Sequence, residues 1–139
     1  MNAREFMNGE KKLRLAVLLS GGGRTFKNLI DKAHAGLLPV EFACVVSSKA
    51  TAAGLHFAHD CRIPAFVVRP RDHASPEKFS GAITQVLDRF RPDLVCMAGF
   101  MSFYRIPPVY RGRVVNIHPA LLPKFGGQGF WGMKVHEAV

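Results

Sequence analysis

The chain has 139 residues, 48% of them hydrophobic and 21% charged, a globular composition sized for one domain that excludes a disordered or collagenous chain. Nineteen basic residues against ten acidic ones give a net charge of +9, a field that attracts anions. The arginines are scattered without a basic run between aromatics, so no nucleic acid is expected as partner, and no apolar run reaches the roughly 18 residues that span a bilayer, so no membrane either.

Met1 to Lys12 is polar, has no hydrophobic signal core and reads as a leader ahead of a domain over 13–139. Leu13 to Leu19 is an almost unbroken apolar run, as expected of a parallel strand covered on both faces. Ser20-Gly21-Gly22-Gly23 ends it, and Phe26, Leu29, Ile30 and Ala33 then fall at helical spacing, with Gly36 as the stop. Val40 to Val46 is a second strand, Ala52 to Cys61 a second helix and Ala65 to Val68 a third strand. Ser75-Pro76-Glu77 is a helix start, a capping residue followed by proline at the first helical position. The apolar stripe of Phe79, Ile83, Val86, Leu87 and Phe90 follows, and Pro92 closes that helix.

Asp93 to Gly99 is a fourth strand, and a connection through Ile106-Pro107-Pro108 leads to a fifth at Val114 to Ile117. Gly126, Gly127, Gly129 and Gly132 mark a loop, with Phe130 and Trp131 either covering a ligand or plugging the core. Val135 to Val139 reads as the first turn and a half of a helix. Alternating strands and helices imply an α/β fold with a doubly wound, mostly parallel sheet. Cys44, Cys61 and Cys96 form no CxxC pair, and Cys44 and Cys96, inside apolar strand-like runs, read as small hydrophobes in a reducing, cytoplasmic setting. His56, His59 and Asp60 lack a further ligand at helical spacing, so a solvated helix face is expected there and no metal.

Ligands of open α/β sheets bind at the carboxyl ends of the strands, where Gly21, Gly22 and Gly23 sit just ahead of a helix N-terminus. Glycine lets a ligand approach the backbone, and the helix offers free N–H groups to a phosphate. Arg24 and Thr25 add a cation and a hydroxyl. The spacing is neither G-x-G-x-x-G nor a P-loop, which points to a small phosphorylated molecule rather than a dinucleotide or nucleoside triphosphate. A tight turn that needs glycine only for its dihedrals is the competing reading. Asn116 and His118 are two apart at a strand end and share a side, an amide donor beside a base that titrates near neutrality. The pair suits attack of a nucleophile on a carbonyl, with the oxyanion stabilised by Asn116. A structural hydrogen-bonded pair remains the alternative.

Three segments together carry a resemblance: Ser20 to Gly23, Pro92-Asp93 through Gly99-Phe100-Met101, and Asn116-Ile117-His118-Pro119-Ala120-Leu121-Leu122-Pro123. They resemble the formyltransferase family that uses 10-formyltetrahydrofolate, and the position of the glycine loop resembles the branch acting on glycinamide ribonucleotide. The resemblance implies a Rossmann-like fold and formyl transfer from 10-formyltetrahydrofolate, as cosubstrate, to the ribonucleotide's amine in purine synthesis. It implies that Gly21, Gly22, Gly23, Arg24 and Thr25 grip the substrate phosphate, and that Asn116 and His118 are two of three catalytic residues. It places Phe100, Met101, Tyr104, Val115 and Asn116 around the folate.

Ser102 stands where the family usually has arginine, and Arg24-Thr25 where serine and asparagine are common. Lys124 to Gly129 lacks the arginine-glycine-alanine pattern expected of a methionyl-tRNA formyltransferase, and Pro119 replaces the second histidine typical of a formyltetrahydrofolate hydrolase. The family's catalytic aspartate falls downstream of Val139, and no Asp or Glu here takes its role by motif. The expectation is therefore a domain lacking its last strand or strands, marginally stable or self-associating, with an inactive phosphate-binding domain as the alternative function.

Overall fold

The structure, a computed structural model, describes residues 12–117 and the backbone of 133–136. Its strands are β1 Leu13–Leu19, β2 Val40–Ser47, β3 Ala65–Val67, β4 Leu94–Ala98, β5 Val114–Ile117 and β6 Met133–His136. The helices are α1 Arg24–His34, α2 Gly54–Asp60 and α3 Pro76–Phe90, with 3-10 turns at Pro70–Asp72 and Pro108–Tyr110. The described strands form one sheet in the order β3-β2-β1-β4-β5-β6. Strands β1 to β5 pair in parallel, and β6 runs antiparallel to β5.

Alternating side chains of β1 supply both faces of the core. Leu15, Val17 and Leu19 pack with Phe26 and Ile30 of α1 and Ala58 of α2, whereas Ala16 and Leu18 pack with Phe79, Ile83 and Leu87 of α3. The chain thus steps outward from β1 to β3 under α1 and α2, then returns through α3 on the opposite face to place β4 on β1's other side. This is the doubly wound topology expected from the alternation of elements, and its switch point lies between the carboxyl ends of β1 and β4. One irregularity keeps the faces consistent. Leu15 pairs with Phe42 but Ala16 pairs with Cys44, leaving Ala43 as an inserted residue. The shift sends Phe42 to the α1 side, edge-on to Phe26 with ring centroids 5.6 Å apart, and Cys44 and Val46 to the α3 side.

Helix boundaries follow the local chemistry. The Gly36 N–H reaches the Ala33 carbonyl and the Leu37 N–H the Lys32 carbonyl, a Schellman ending made possible by Gly36 at φ +78°. Ser75 accepts from the Lys78 N–H and Pro76 opens α3, while Arg91 at φ +48° and Pro92 close it. Helix α2 is shorter than expected, and β3 stops at Val67 rather than Val68. His56 and His59 lie exposed on α2.

The chain's end departs from the sequence reading. The helix expected to begin at Val135 is absent from the described part of that segment, because Met133–His136 is a strand that pairs with β5. Met-Lys-Val-His alternates apolar and polar residues, the period of a strand, and pairing satisfies backbone groups that β5 would otherwise present at an edge. Among the described residues β6, not β5, is the edge of the sheet on this side.

At the amino ends of the strands the Arg14 N–H donates to the Asp93 carboxylate at 2.9 Å and the Asp93 N–H to the Arg14 carbonyl at 2.8 Å. Asp93 is thereby anchored at the end of the sheet opposite the glycine loop. Cys44 and Cys96 are buried as expected, and burial pushes their thiols from near 9 up to about 11 and about 12. Above pH 9 the unfolded chain releases these protons while the folded chain keeps them, so stability falls as pH rises. Urea midpoints measured from pH 7 to 11 are expected to hold level to about pH 8 and then decline, less steeply in Cys96→Ala.

Candidate active site at the carboxyl edge of the sheet

The loops after β1, β2 and β4 meet at one buried hydroxyl. Ser20, at the end of β1, accepts a hydrogen bond from the Met101 N–H at 2.8 Å and pairs with Ser48 Oγ at 2.5 Å. Both serines are buried. The Ser48 N–H donates to the Leu19 carbonyl, which ties the β2 exit to the same place. This anchor of Ser20 and Ser48 was not found by sequence reasoning, since two serines 28 positions apart form no motif. The one signal was that each directly follows an apolar strand.

The three loop glycines do different work. Gly23 caps α1 at φ +76°, and a methyl added to it would lie 2.5 Å from the Gly54 Cα, so dihedral and close packing both demand glycine. Gly54 in turn leaves no room beside Leu19, and its N–H donates to the Gly21 carbonyl at 3.1 Å. Gly21 and Gly22 have ordinary dihedrals, and an added methyl would meet nothing within 4 Å. The tight-turn reading thus accounts for Gly23 and leaves Gly21 and Gly22 exposed without an internal reason to be glycine. Behind them α1 has neither a side-chain cap nor an acidic residue in its first turn. Its first N–H groups, with exposed Arg24 and half-buried Thr25, are suited to an anion.

After β4, Gly99 at φ +72° turns the chain, and Phe100 drops into the α3-side core with its ring parallel to Phe79. Met101 is 78% exposed. Tyr104 is only 2% exposed and its hydroxyl bonds Thr84 on α3 at 2.6 Å. Burial pushes its phenol up to about 12, with the Thr84 bond acting in the opposite direction. Among the residues expected around a folate, Met101 therefore offers a surface, while Phe100 and Tyr104 shape the layer beneath. A cavity of about 360 Å³ beside them is lined by His73, Pro76, Phe79, Ser102 and Phe103, among others.

On β5, Val115 packs on the α1 side of the sheet, whereas Asn116 pairs with Met97, whose side chain packs on the α3 side. Val115 and Asn116 thus belong to opposite faces. A ligand lying on one face meets only one of these side chains. Asn116 is half-buried at the carboxyl end of its strand. His118, Pro119, the residues up to Pro123, Phe130 and Trp131 lie outside the described residues. Neighbouring strands are about 4.8 Å apart, so Asn116 stands roughly 10 Å across the sheet from the glycine loop, with the Gly99–Met101 turn between.

Residues 13–138 match the family model described as Formyl transferase, and the chain belongs to that family. It is 36% identical over 116 residues to phosphoribosylglycinamide formyltransferase of Haemophilus influenzae, covering 82% of this chain and 55% of that enzyme. It is 40% identical over 125 residues to the trifunctional purine biosynthetic protein adenosine-3 of Drosophila melanogaster, covering 87% of this chain and 9% of that protein. Its fold resembles the crystal structure of phosphoribosylglycinamide formyltransferase from Brucella melitensis, with a TM-score of 0.75, 41% identity and coverage of 85% and 62% of the two chains. The chain thus spans little more than half the length of these single-function relatives. Among the described residues no helix is long and apolar enough to cross a membrane.

Proposed function

We propose that this chain binds glycinamide ribonucleotide and carries it toward formylation by 10-formyltetrahydrofolate, in purine synthesis. The observation that carries this reading is the pair Gly21 and Gly22, glycines without internal cause, set before an uncapped helix N-terminus at the switch point of the sheet. A phosphate held there, with its N–H donors and Arg24, leaves about 10 Å for the rest of an extended substrate to reach the end of β5. The amine then lies beside Asn116. Met101 and the cavity next to it provide the side from which the folate enters.

In the reaction the amine nitrogen attacks the formyl carbon, forming a C–N bond as the carbonyl oxygen becomes an oxyanion. The bond from that carbon to the folate nitrogen then breaks, and the proton lost by the amine ends on the folate. Asn116 donates to the oxyanion and His118 handles the proton, which is the division of labour their chemistries favour. The same binding loop suits the glycinamide substrate better than a tRNA, since the charge forms no contiguous basic track.

The test is formyl transfer from 10-formyltetrahydrofolate to glycinamide ribonucleotide by the 139-residue chain, run beside His118→Ala. Transfer by the parent that is lost in the variant is the expected result. Binding of the ribonucleotide without transfer would reduce the reading to phosphate recognition alone, and no binding would end it.

A further inference from the structure

A second concavity opens on the same edge of the sheet, on the side of the glycine loop away from Asn116. It encloses about 440 Å³ and is lined by Ser48, Lys49, Ala50 and Thr51 after β2 and by Arg69, Pro70 and Arg71 after β3. Its walls are fixed from within. Ser47 Oγ, fully buried, donates to the Lys49 carbonyl at 2.7 Å and accepts from the Lys49 N–H at 3.1 Å, which sets the path of the loop that carries the lysine. Arg69 is held by Asp72 through Nε at 2.8 Å. Among the described residues the Lys49 ammonium and the Arg71 guanidinium have no hydrogen-bonded or ionic partner. Asp72 neutralises one of three cations, so the concavity keeps a net positive charge.

Ser48 ties this pocket to the glycine loop, since it lines the pocket and bonds Ser20 at the loop's start. The end of β3 is two strands from β1, roughly 10 Å away. We infer that the Lys49–Arg71 pocket is a second anion subsite, taking a further phosphate or carboxylate of a small molecule whose first anionic group sits on the glycine loop. An arginine fork, an ammonium and the Thr51 hydroxyl suit either anion. An oligoanion bridges both subsites, whereas a monophosphate fills only the loop. The pocket itself stands on its own residues, and its link to a bound phosphate rests on the glycine-loop reading above.

Residue-resolved amide NMR titrations of the full chain separate the two. Tripolyphosphate and tricarballylate serve as oligoanion probes and inorganic phosphate as the single anion, all at constant ionic strength. The expected result is saturable shifts at residues 48–51 and 69–71 with an oligoanion. Affinity there falls about tenfold in a Lys49→Gln/Arg71→Gln variant that still melts like the parent. A response to both oligoanions assigns the subsite to anions in general, and a response to one assigns it to that class. Oligoanion shifts confined to residues 21–25, or shifts at 48–51 and 69–71 unchanged in the double variant, overturn the second subsite. A response at 48–51 and 69–71 without one at 21–25 supports it while overturning the glycine-loop reading.

Discussion

Gly23→Ala is expected to lower the unfolding free energy by about 2–4 kcal/mol, combining the strain of a left-handed alanine with overpacking against a neighbouring backbone. The methyl would sit 2.5 Å from the Gly54 Cα, and neither glycine has a flexible side chain that can swing aside. Relief requires α1 and α2 to separate, which also moves the Gly21 carbonyl off the Gly54 N–H. Urea denaturation reads the loss. Gly22→Ala is the informative partner, because its methyl enters open space at an ordinary dihedral. Its stability should stay level or rise by about 0.5 kcal/mol through the stiffer unfolded chain. Its affinity for glycinamide ribonucleotide should nevertheless drop, since the methyl occupies the approach to the backbone. A Gly22→Ala chain that binds the ribonucleotide as well as its parent would mean that this loop is only a turn.

The sequence made β1 and the outlines of the core legible because burial on both faces of a parallel strand leaves an unbroken apolar run. The run Leu13 to Leu19 coincides with β1 to the residue. Helices α1 and α3 were legible for a different reason. Their stops and starts are local chemistry at Gly36 and Ser75-Pro76, readable without knowing the partner. The end of the chain departs from its reading because the strand alternation of Met133–His136 spans only four residues, too few to outweigh a helical reading without the pairing with β5. The site divides in the same way. Gly21 to Gly23 form a contiguous motif and were found, though only packing against Gly54 distinguishes Gly23 from the other two. Ser20, Ser48 and the Met101 N–H meet through the topology of β1, β2 and β4 and leave no trace in spacing. Tyr104 was assigned to the ligand by resemblance, yet its hydroxyl is engaged with Thr84 and its ring lies in the core.

Val115 and Asn116 make the last distinction testable, because adjacent residues of one strand carry opposite consequences. Asn116→Ala is expected to lower the rate of formyl transfer by about 10²–10³-fold, the usual cost of deleting one oxyanion donor. The substitution acts at the open end of β5, on the face of Met97, where no large apolar side chain is removed. With the ribonucleotide's phosphate on the glycine loop about 10 Å away, as proposed, ribonucleotide affinity should change little. Val115→Ala removes methyl groups from the α1-side core, where Val115 packs with Cys96 and Ala98 of β4. It should lower the unfolding free energy by about 1–3 kcal/mol. Single-turnover transfer and urea denaturation, measured on both variants, separate the two effects. An Asn116→Ala chain that transfers formyl at the parental rate would remove Asn116 from the chemistry.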